Sequence, residues 1–411
     1  PGDDEERVVR LLATLRRAID DRGRRFAARG VLTLEEYRRA APDDPLARIV
    51  VLVDSYAGFV DNYEKVDLGA YVDALPRLVA DGRAAGVHFV VTGDRRMAIP
   101  QSIAGVVARR LILRLADEHE MSSLGLDARE VRGARLPPGR GFLDDGRELQ
   151  VAVLGEGGSG ERQNAALSRL GEELAARHGG AGAPPIKRMP TELARSDLPR
   201  RASPLQPVLG VDDIDLSPVV LALDDGHAAI IGSYRSGRTT ALETLARSLH
   251  EAPAASELHL LAPRRSSLTE LDLWTSVARG MDACEARVPE LVEEVYARSG
   301  EGGEPPLVVV IDDAGELAEA VCAGAIETLL RRGRDRDVHV VAALERGQAR
   351  HYAPWIRELR KDGTGLLLDP DLDLDGELLS VRLPRRSNAF FPPGRGYLVA
   401  GGTARLIQVA S

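Results

Sequence analysis

The sequence predicts two tandem α/β units, the second built around a phosphate-binding loop and the first without one. Three observations predict it. Four short patterns occur twice in the same order. Val-rich runs alternate with helical patterns along the chain. A glycine-bracketed loop stands between an apolar run and a helix at residues 228–242.

The duplication comes first. IVVLVDS (49–55) matches VVVIDDA (308–314), and GRAAGVHFVV (82–91) matches GRDRDVHVVA (333–342). LPPGRGFL (136–143) matches FPPGRGYL (391–398), and ELQVAV (148–153) matches LIQVAS (406–411). The offsets are 258 from Asp54 to Asp312, 251 from His88 to His339, 255 from Gly139 to Gly394 and 258 from Gln150 to Gln408. Four matches at nearly constant offset imply a repeated domain. Within each copy, the Val-rich runs ending in Asp or polar residues read as buried parallel strands. Amphipathic stretches at 7–30, 240–250 and 287–299 read as the helices between them. PPGRG before an alternating stretch reads as a turn into a hairpin. The expected boundaries are 1–154 for the first unit, 155–207 for a Gly- and Pro-rich linker with a helical patch at 164–178, and 208–411 for the second unit. In the second unit the loop begins 80 residues before Asp312, whereas only 53 residues precede Asp54. The first unit is therefore expected to lack its first strand, its loop and its first helix.

Composition agrees with two globular units. The 411 residues exceed one ordinary core. Apolar residues make up 44% but aromatics only 4%, so the core must be Val, Leu, Ile and Ala. A net charge of −9 argues against a duplex-binding surface, which needs clustered cations to displace counterions. The only lysines are Lys65, Lys187 and Lys361, none of them in the loop. Cys284 and Cys322 have no metal or disulfide spacing and read as small buried hydrophobes in a reducing compartment. No apolar run reaches membrane-span length. The charged start PGDDEERVVR is no secretory signal and reads as a cut within a longer protein. His88 and His339, at strand starts, have no nucleophile beside them and read as packing residues. DPDLDLDGE (369–377) lacks the EF-hand spacing and reads as an acidic surface loop.

The chemistry concentrates at AAIIGSYRSGRTTAL (228–242). G-x-x-x-x-G-K-[ST] cradles phosphates on backbone N–H groups and on the positive end of the following helix. Gly232, Ser233, Arg235, Ser236, Gly237, Arg238, Thr239 and Thr240 are the expected nucleotide-binding residues, and Thr239 takes the place of the Mg²⁺-ligating hydroxyl. Arg238 replaces the lysine. It keeps the charge but is planar and bulkier, so it should position a terminal phosphate less well. Downstream, PPLVVVIDDAGEL (305–317) ends a buried strand in Asp312, expected to hold Mg²⁺ through water. Asp313 occupies the catalytic position but is one methylene shorter than glutamate. In the first unit the same pair is Asp54 and Ser55, and serine cannot act as a base.

These runs resemble the FtsK/SpoIIIE-type ATPases, most closely the C-terminal ATPase domains of the EccC motors of type VII secretion. DGRAAGVHFVVTGDRR (81–96) and RGRDRDVHVVAALERG (332–347) resemble the segment after the metal-binding acid. GVDDIDLSPVVLAL (210–223) and PPGRGYLVAGGTARLIQVA (392–410) resemble the opening and closing stretches of such a domain. The resemblance implies tandem RecA-like P-loop NTPase domains that bind ATP and Mg²⁺. It implies a parent protein that forms hexamers at the inner face of the membrane, reached only through other parts, and whose partners are further ATPase domains and the C-terminal signal of a secreted protein. An arginine supplied to a neighbour's nucleotide corresponds to the stretch 18–31, with Arg22 the best match and Arg24 and Arg25 as alternatives. The sensor-like positions hold Asp94 and Glu345 where the family often has Gln. With Ser55, Asp313 and Arg238 they imply a module that holds ATP and turns it over slowly. A DNA-translocase fragment and a non-catalytic scaffold are the other readings.

Overall fold

The computed structural model describes residues 4–115, 120–121, 124–126, 136–155, 157–179, 182–200, 203–224, 226–252, 256–299, 304–384 and 391–411. Residues 156, 180–181 and 201–202 of the expected linker lie outside the described residues. The chain divides into two units, Pro1–Lys187 and Arg188–Ser411.

The first unit runs α1 (Glu5–Ala27), α2 (Leu34–Ala40), β1 (Ile49–Val53), α3 (Tyr56–Tyr63), α4 (Ala70–Gly82), β2 (Val87–Val91), α5 (Gln101–Ala104), β3 (Leu111–Leu113), β4 (Arg140–Leu143), β5 (Glu148–Gln150) and α6 (Gly160–Arg177). Helix α1 starts where the Asp4 carboxylate accepts the Arg7 N–H, with Glu5 and Glu6 favourably placed at the positive end of its dipole. Val8, Leu12, Leu15 and Ile19 recur every three or four residues, so one stripe of α1 is buried, in a cluster with Leu75 and Leu78 of α4. Thr33 and Glu36 close a reciprocal capping box on α2. Strands β1 and β2 pair in parallel, and β3, β4 and β5 form a separate antiparallel sheet.

The second unit runs β6 (Val208–Asp212), β7 (Pro218–Val220), β8 (Ala228–Gly232), α7 (Arg238–His250), β9 (Glu257–Ala262), β10 (Ser276–Arg279), α8 (Met281–Ala297), β11 (Leu307–Ile311), α9 (Ala323–Gly333), β12 (Val338–Glu345), α10 (Arg346–Ala349), α11 (Pro354–Arg360), β13 (Gly365–Leu368), β14 (Arg395–Ala400) and β15 (Thr403–Val409). Its strands form one sheet in the order β10-β9-β11-β12-β8-β13-β14-β15-β6-β7. From β10 to β13 neighbours are parallel, and from β13 onward they are antiparallel. Helices cover both faces of the parallel part, which is why β8, β11 and β13 are buried at every position. Leu242, Leu245 and Leu249 of α7 pack with Val308, Val310, Val341, Leu366 and Leu368. Each buried leucine contributes roughly 2 kcal/mol. The opposite face buries Val288, Leu291, Ile326, Leu329 and Ile356 from α8, α9 and α11.

The duplication holds at the level of register. Val50 lies opposite His88 in the first unit, and Val308 opposite His339 in the second. Ile112 faces Phe142, and Leu367 faces Tyr397. Among the described residues, only the second unit has a strand between the two halves: β8 joins β12 to β13 and makes one sheet. Without such a strand among its described residues, the first unit keeps two separate sheets. The consequence shows in burial. Val50, Leu52, Val90, Leu111 and Leu113 are 40–74% exposed, while their counterparts Val308, Val310, Val341, Leu366 and Leu368 are fully buried beneath α7. The two histidines split for the same reason. His339 is buried and bonds through Nδ1 to the Gly226 carbonyl ahead of β8, as a packing residue should. His88 is exposed, contrary to the sequence expectation, because no such strand stands beside it among the described residues.

Candidate nucleotide site

The loop grows out of β8. Gly232 ends the strand, and a Cβ there would lie 2.3 Å from Ser236 Oγ and 2.9 Å from the Leu368 carbonyl, so only glycine fits. The chain then folds back through left-handed residues, Arg235 at φ 62° and Gly237 at φ 98°. Helix α7 starts at Arg238 with no side-chain cap, which leaves its first N–H groups facing the loop. Tyr234, at the loop tip, is exposed, with the Arg235 guanidinium 5.3 Å from its ring centre. Ser236 is buried and its hydroxyl has no hydrogen-bond partner among the described residues. A buried unpaired hydroxyl is costly, and a phosphate oxygen would satisfy it.

Thr239, on the first turn of α7, donates from Oγ1 to both oxygens of Asp312, at 3.2 and 3.3 Å. Ser266 donates to Asp312 Oδ2 at 2.7 Å, and the Asp313 N–H to Oδ1 at 3.1 Å. Asp312 is buried, and burial is the main reason its carboxyl titrates above the ordinary carboxylate range; the Asp313 charge adds to this, while the Ser266 and Thr239 hydroxyls oppose it. A desolvated carboxylate beside a threonine hydroxyl is a donor set that suits Mg²⁺. ATP and Mg²⁺ therefore fit the residues present: the loop amides, Ser236 and Arg238 would hold phosphates, and Thr239 and Asp312 the metal.

Arg238 turns back on its own loop. Its Nη1 donates to the Gly232 carbonyl at 3.4 Å and its Nη2 lies 3.6 Å from Asp313 Oδ1. The residue at the lysine position and the one at the catalytic position are thus paired with each other. Asp313 itself has φ 45°, as Ser55 has φ 58° at the equivalent place. Glu345 ends β12 in register with Gly232 and begins α10, where it exchanges capping bonds with Gln348 and stays exposed. Gln348 Nε2 reaches Glu316 at 3.4 Å. Thr240 follows on α7, partly exposed.

The structure adds residues that the sequence did not single out. Ser266 comes from the segment after β9 and shares Asp312. Asp369, after β13, accepts the Ser233 hydroxyl. The stretch 369–377 is thus no mere surface loop. Asp375 is buried, pairs with Arg346 at 3.0 Å and Arg350 at 2.8 Å, and accepts the Asp371 N–H at 2.7 Å. The many acidic residues obscured this; the nearby arginines of RGQAR (346–350) were the available signal. Gly394, in the repeated PPGRG, donates its N–H to the Ser236 carbonyl at 2.8 Å.

In the first unit Asp54 accepts the Thr92 hydroxyl at 2.8 Å, and that oxygen also receives the Ser55 N–H at 2.8 Å. Ser55 Oγ in turn caps α3 at the Gly58 N–H. Asp94 is exposed, 4.0 Å from Arg95. Arg22 corrects an expectation. An arginine acting on a neighbour must project outward, yet Arg22 is buried, donating at 2.7 Å to the carbonyls of both Ala85 and Ala47. Burial, then Arg38 and Arg25, lower its pKa. It straps α1 to the two segments that lead into β1 and β2. Arg24 is the exposed neighbour, and Arg25 pairs with Asp21 at 2.8 Å.

Both cysteines are free and buried, and burial pushes the Cys284 thiol up to about 11, as expected of packing residues. Among the described residues no helix is long and apolar enough to cross a membrane, and no metal-binding cluster of His, Cys, Asp or Glu occurs.

A strand, phosphate loop and helix at the centre of a mostly parallel sheet, with a buried acid two strands away, define a P-loop ATPase fold of the RecA-like type. The FtsK/SpoIIIE family model matches residues 2–152. The chain is 28% identical to the ESX secretion system protein EccC of Thermomonospora curvata, over 99% of this chain and 32% of that protein. It is also 28% identical to the ESX-4 secretion system protein EccC4 of Mycobacterium tuberculosis, over 98% of this chain and 33% of that protein. The solved structure of T. curvata EccC ATPases 2 and 3 in complex with a signal sequence peptide superposes with a TM-score of 0.74 at 25% identity, covering 99% of this chain and 77% of that one. The first unit thus matches the FtsK/SpoIIIE family model, and the chain as a whole is similar to EccC proteins of type VII secretion and to the tandem of ATPases 2 and 3 solved for one of them. The chain spans about a third of the length of the curated relatives it matches.

Proposed function

We propose that the second unit binds Mg-ATP at Gly232–Thr240 and hydrolyses it slowly, as a regulatory and substrate-recognising module of an EccC-type secretion motor. The pairing of Arg238 with Asp313 carries this reading. To hold phosphate, Arg238 must leave Asp313. The carboxylate it leaves, one methylene short of glutamate, is poorly placed to orient a water. Mg²⁺, when bound, would neutralise the phosphate charge that Asp312 and Asp313 otherwise oppose. The first unit supplies no second site among its described residues: Asp54 is held by Thr92, and Ser55 spends its hydroxyl on a helix cap. The EccC relative solved with a signal peptide makes the C-terminal signal of a secreted protein the partner class to test. The parent protein would be a hexamer at the cytoplasmic face of the membrane.

Thermal unfolding with and without Mg-ATP tests the site. Binding only to the folded state stabilises by RT ln(1 + [L]/Kd), about 4 kcal/mol at a thousandfold excess over Kd. The expected result is a clear upward shift for the native chain and a much smaller one for Arg238→Ala, with turnover near background. Brisk hydrolysis by this chain alone, or equal shifts for both proteins, would overturn the reading.

A further inference from the structure

The PPGRG turn recurs in both units with the same internal bonding. In the second unit Arg395 Nε donates to Gln408 Oε1 at 3.2 Å, and Gln408 Nε2 donates to the carbonyls of Pro393 (3.0 Å) and Val409 (3.3 Å). The Val409 N–H closes on the Gly394 carbonyl at 2.8 Å. In the first unit Arg140, Gln150, Pro138, Val151 and Gly139 repeat these bonds at 3.0, 3.2, 3.4 and 2.8 Å. The arginine–glutamine clamp is therefore intrinsic to the hairpin. What differs is what it is attached to. Arg140 is partly exposed and spends its outer nitrogen on Glu148 at 2.6 Å. Arg395 is buried and directs Nη2 to the carbonyls of Met189 (3.3 Å) and Pro190 (2.8 Å), in the segment that leads into the second unit. At the other end, the Gly394 N–H holds the Ser236 carbonyl of the phosphate loop at 2.8 Å.

That last bond orients the loop. In a trans peptide the C=O and the following N–H point in opposite directions. Fixing the Ser236 carbonyl on the turn thus aims the Gly237 N–H away from the turn. The contact is backbone to backbone: a Cβ on Gly237 would lie 2.8 Å from Gly394 N, and one on Gly394 would lie 2.9 Å from Gln408 Nε2. Loop and leading segment are thereby two ends of one buried hydrogen-bonded chain, Met189–Pro190 to Arg395 to Gln408 and Gly394 to Ser236.

We infer that Arg395 is a positioning residue for the phosphate loop, and that through it docking of the leading segment and occupancy of the loop are coupled. The coupling rests on the nucleotide reading above; the positioning role does not. Coupling is reciprocal, so nucleotide must tighten the leading segment as much as the docked segment tightens nucleotide.

Hydrogen exchange and titration on the full chain test both parts, with Arg395→Lys, Gln408→Ala and, as internal control, Arg140→Lys. Lysine keeps the charge but cannot reach Gln408 and both carbonyls together. Without nucleotide, Arg395→Lys and Gln408→Ala should speed exchange at Ser236–Thr239, while β11 exchanges as before. With Mg-ATP, the native chain should slow exchange at 189–195. Arg395→Lys should lose that slowing and weaken ATP binding about tenfold, within the usual range of coupling factors. Arg140→Lys should change none of these. Unaltered loop exchange in both variants overturns the positioning role. ATP binding that leaves 189–195 unaffected overturns the coupling. If the native chain binds no ATP, the nucleotide reading and the coupling fall together, and loop exchange still decides the positioning role.

Discussion

Acid should unfold the second unit early, and His227 is the residue to test. It is 2% exposed and immediately precedes β8. Its Nδ1 accepts the Val340 N–H at 3.0 Å, so its Nε2 carries the proton and donates to the Leu330 carbonyl at 2.7 Å. A second proton would set an N–H against the Val340 N–H. Burial lowers the pKa from 6.5 to about 4, and the neighbouring His339 adds to this, while the Leu330 carbonyl opposes it. The unfolded chain therefore takes up a proton near pH 6.5 that the folded chain refuses until about pH 4, and stability falls as pH drops through that window. At ~1.36 kcal/mol per unit, the full loss is about 3 kcal/mol, of which about 2.5 kcal/mol is gone by pH 4.5. Both tryptophans, Trp274 and Trp355, lie in the second unit, so fluorescence during urea unfolding reports on that unit. His227→Gln is expected to cost stability at pH 7.5. That cost should shrink by about 2.5 kcal/mol at pH 4.5, because the variant has no proton to take up there. A difference between the two proteins that stays constant across this range would refute the argument.

Further outcomes follow from single contacts. Asp375→Asn removes the charge that two arginines surround in a buried site, and should cost about 3 kcal/mol in urea unfolding read by Trp355. Gly232→Ala brings a Cβ against Ser236 Oγ and the Leu368 carbonyl, and should cost about 2 kcal/mol and abolish the thermal shift with Mg-ATP. Arg22→Ala should destabilise the first unit by about 2 kcal/mol, seen as faster exchange at Ile49–Val53 and Val87–Val91, because the buried Ala85 carbonyl and the partly buried Ala47 carbonyl lose their charged donor.

The sequence carried what is local. Gly232, Gly237 and Thr239 stand in one stretch between a strand and a helix, and spacing alone names them. Asp312 was legible because a buried strand ends there, and the repeat foretold that Val50 and Val308 would share a register. The contacts that complete the site were hidden because they join distant segments. Ser233 meets Asp369 across 136 residues, and Ser266 reaches Asp312 across 46. Arg22 shows the converse failure. In an arginine-rich helix the position on the helix decides which guanidinium turns inward, and Arg22 lies one turn beyond Ile19 on the buried stripe, while Arg24 lies off it.

Strand β8, which bears the loop, is also the seam of the second unit's sheet. Among the described residues, its ladders are the only strand pairing that joins β10, β9, β11 and β12 to the part that begins at β13, and the helices packed on both faces reinforce that join. The unit should therefore melt as one cooperative block, its slowest amides exchanging only on global opening, whereas the first unit, with two unjoined sheets, should open in two steps. Anything that grips the loop grips the seam. A ligand there would raise the cost of opening both halves together, so occupancy of one small loop would be felt as rigidity across ten strands.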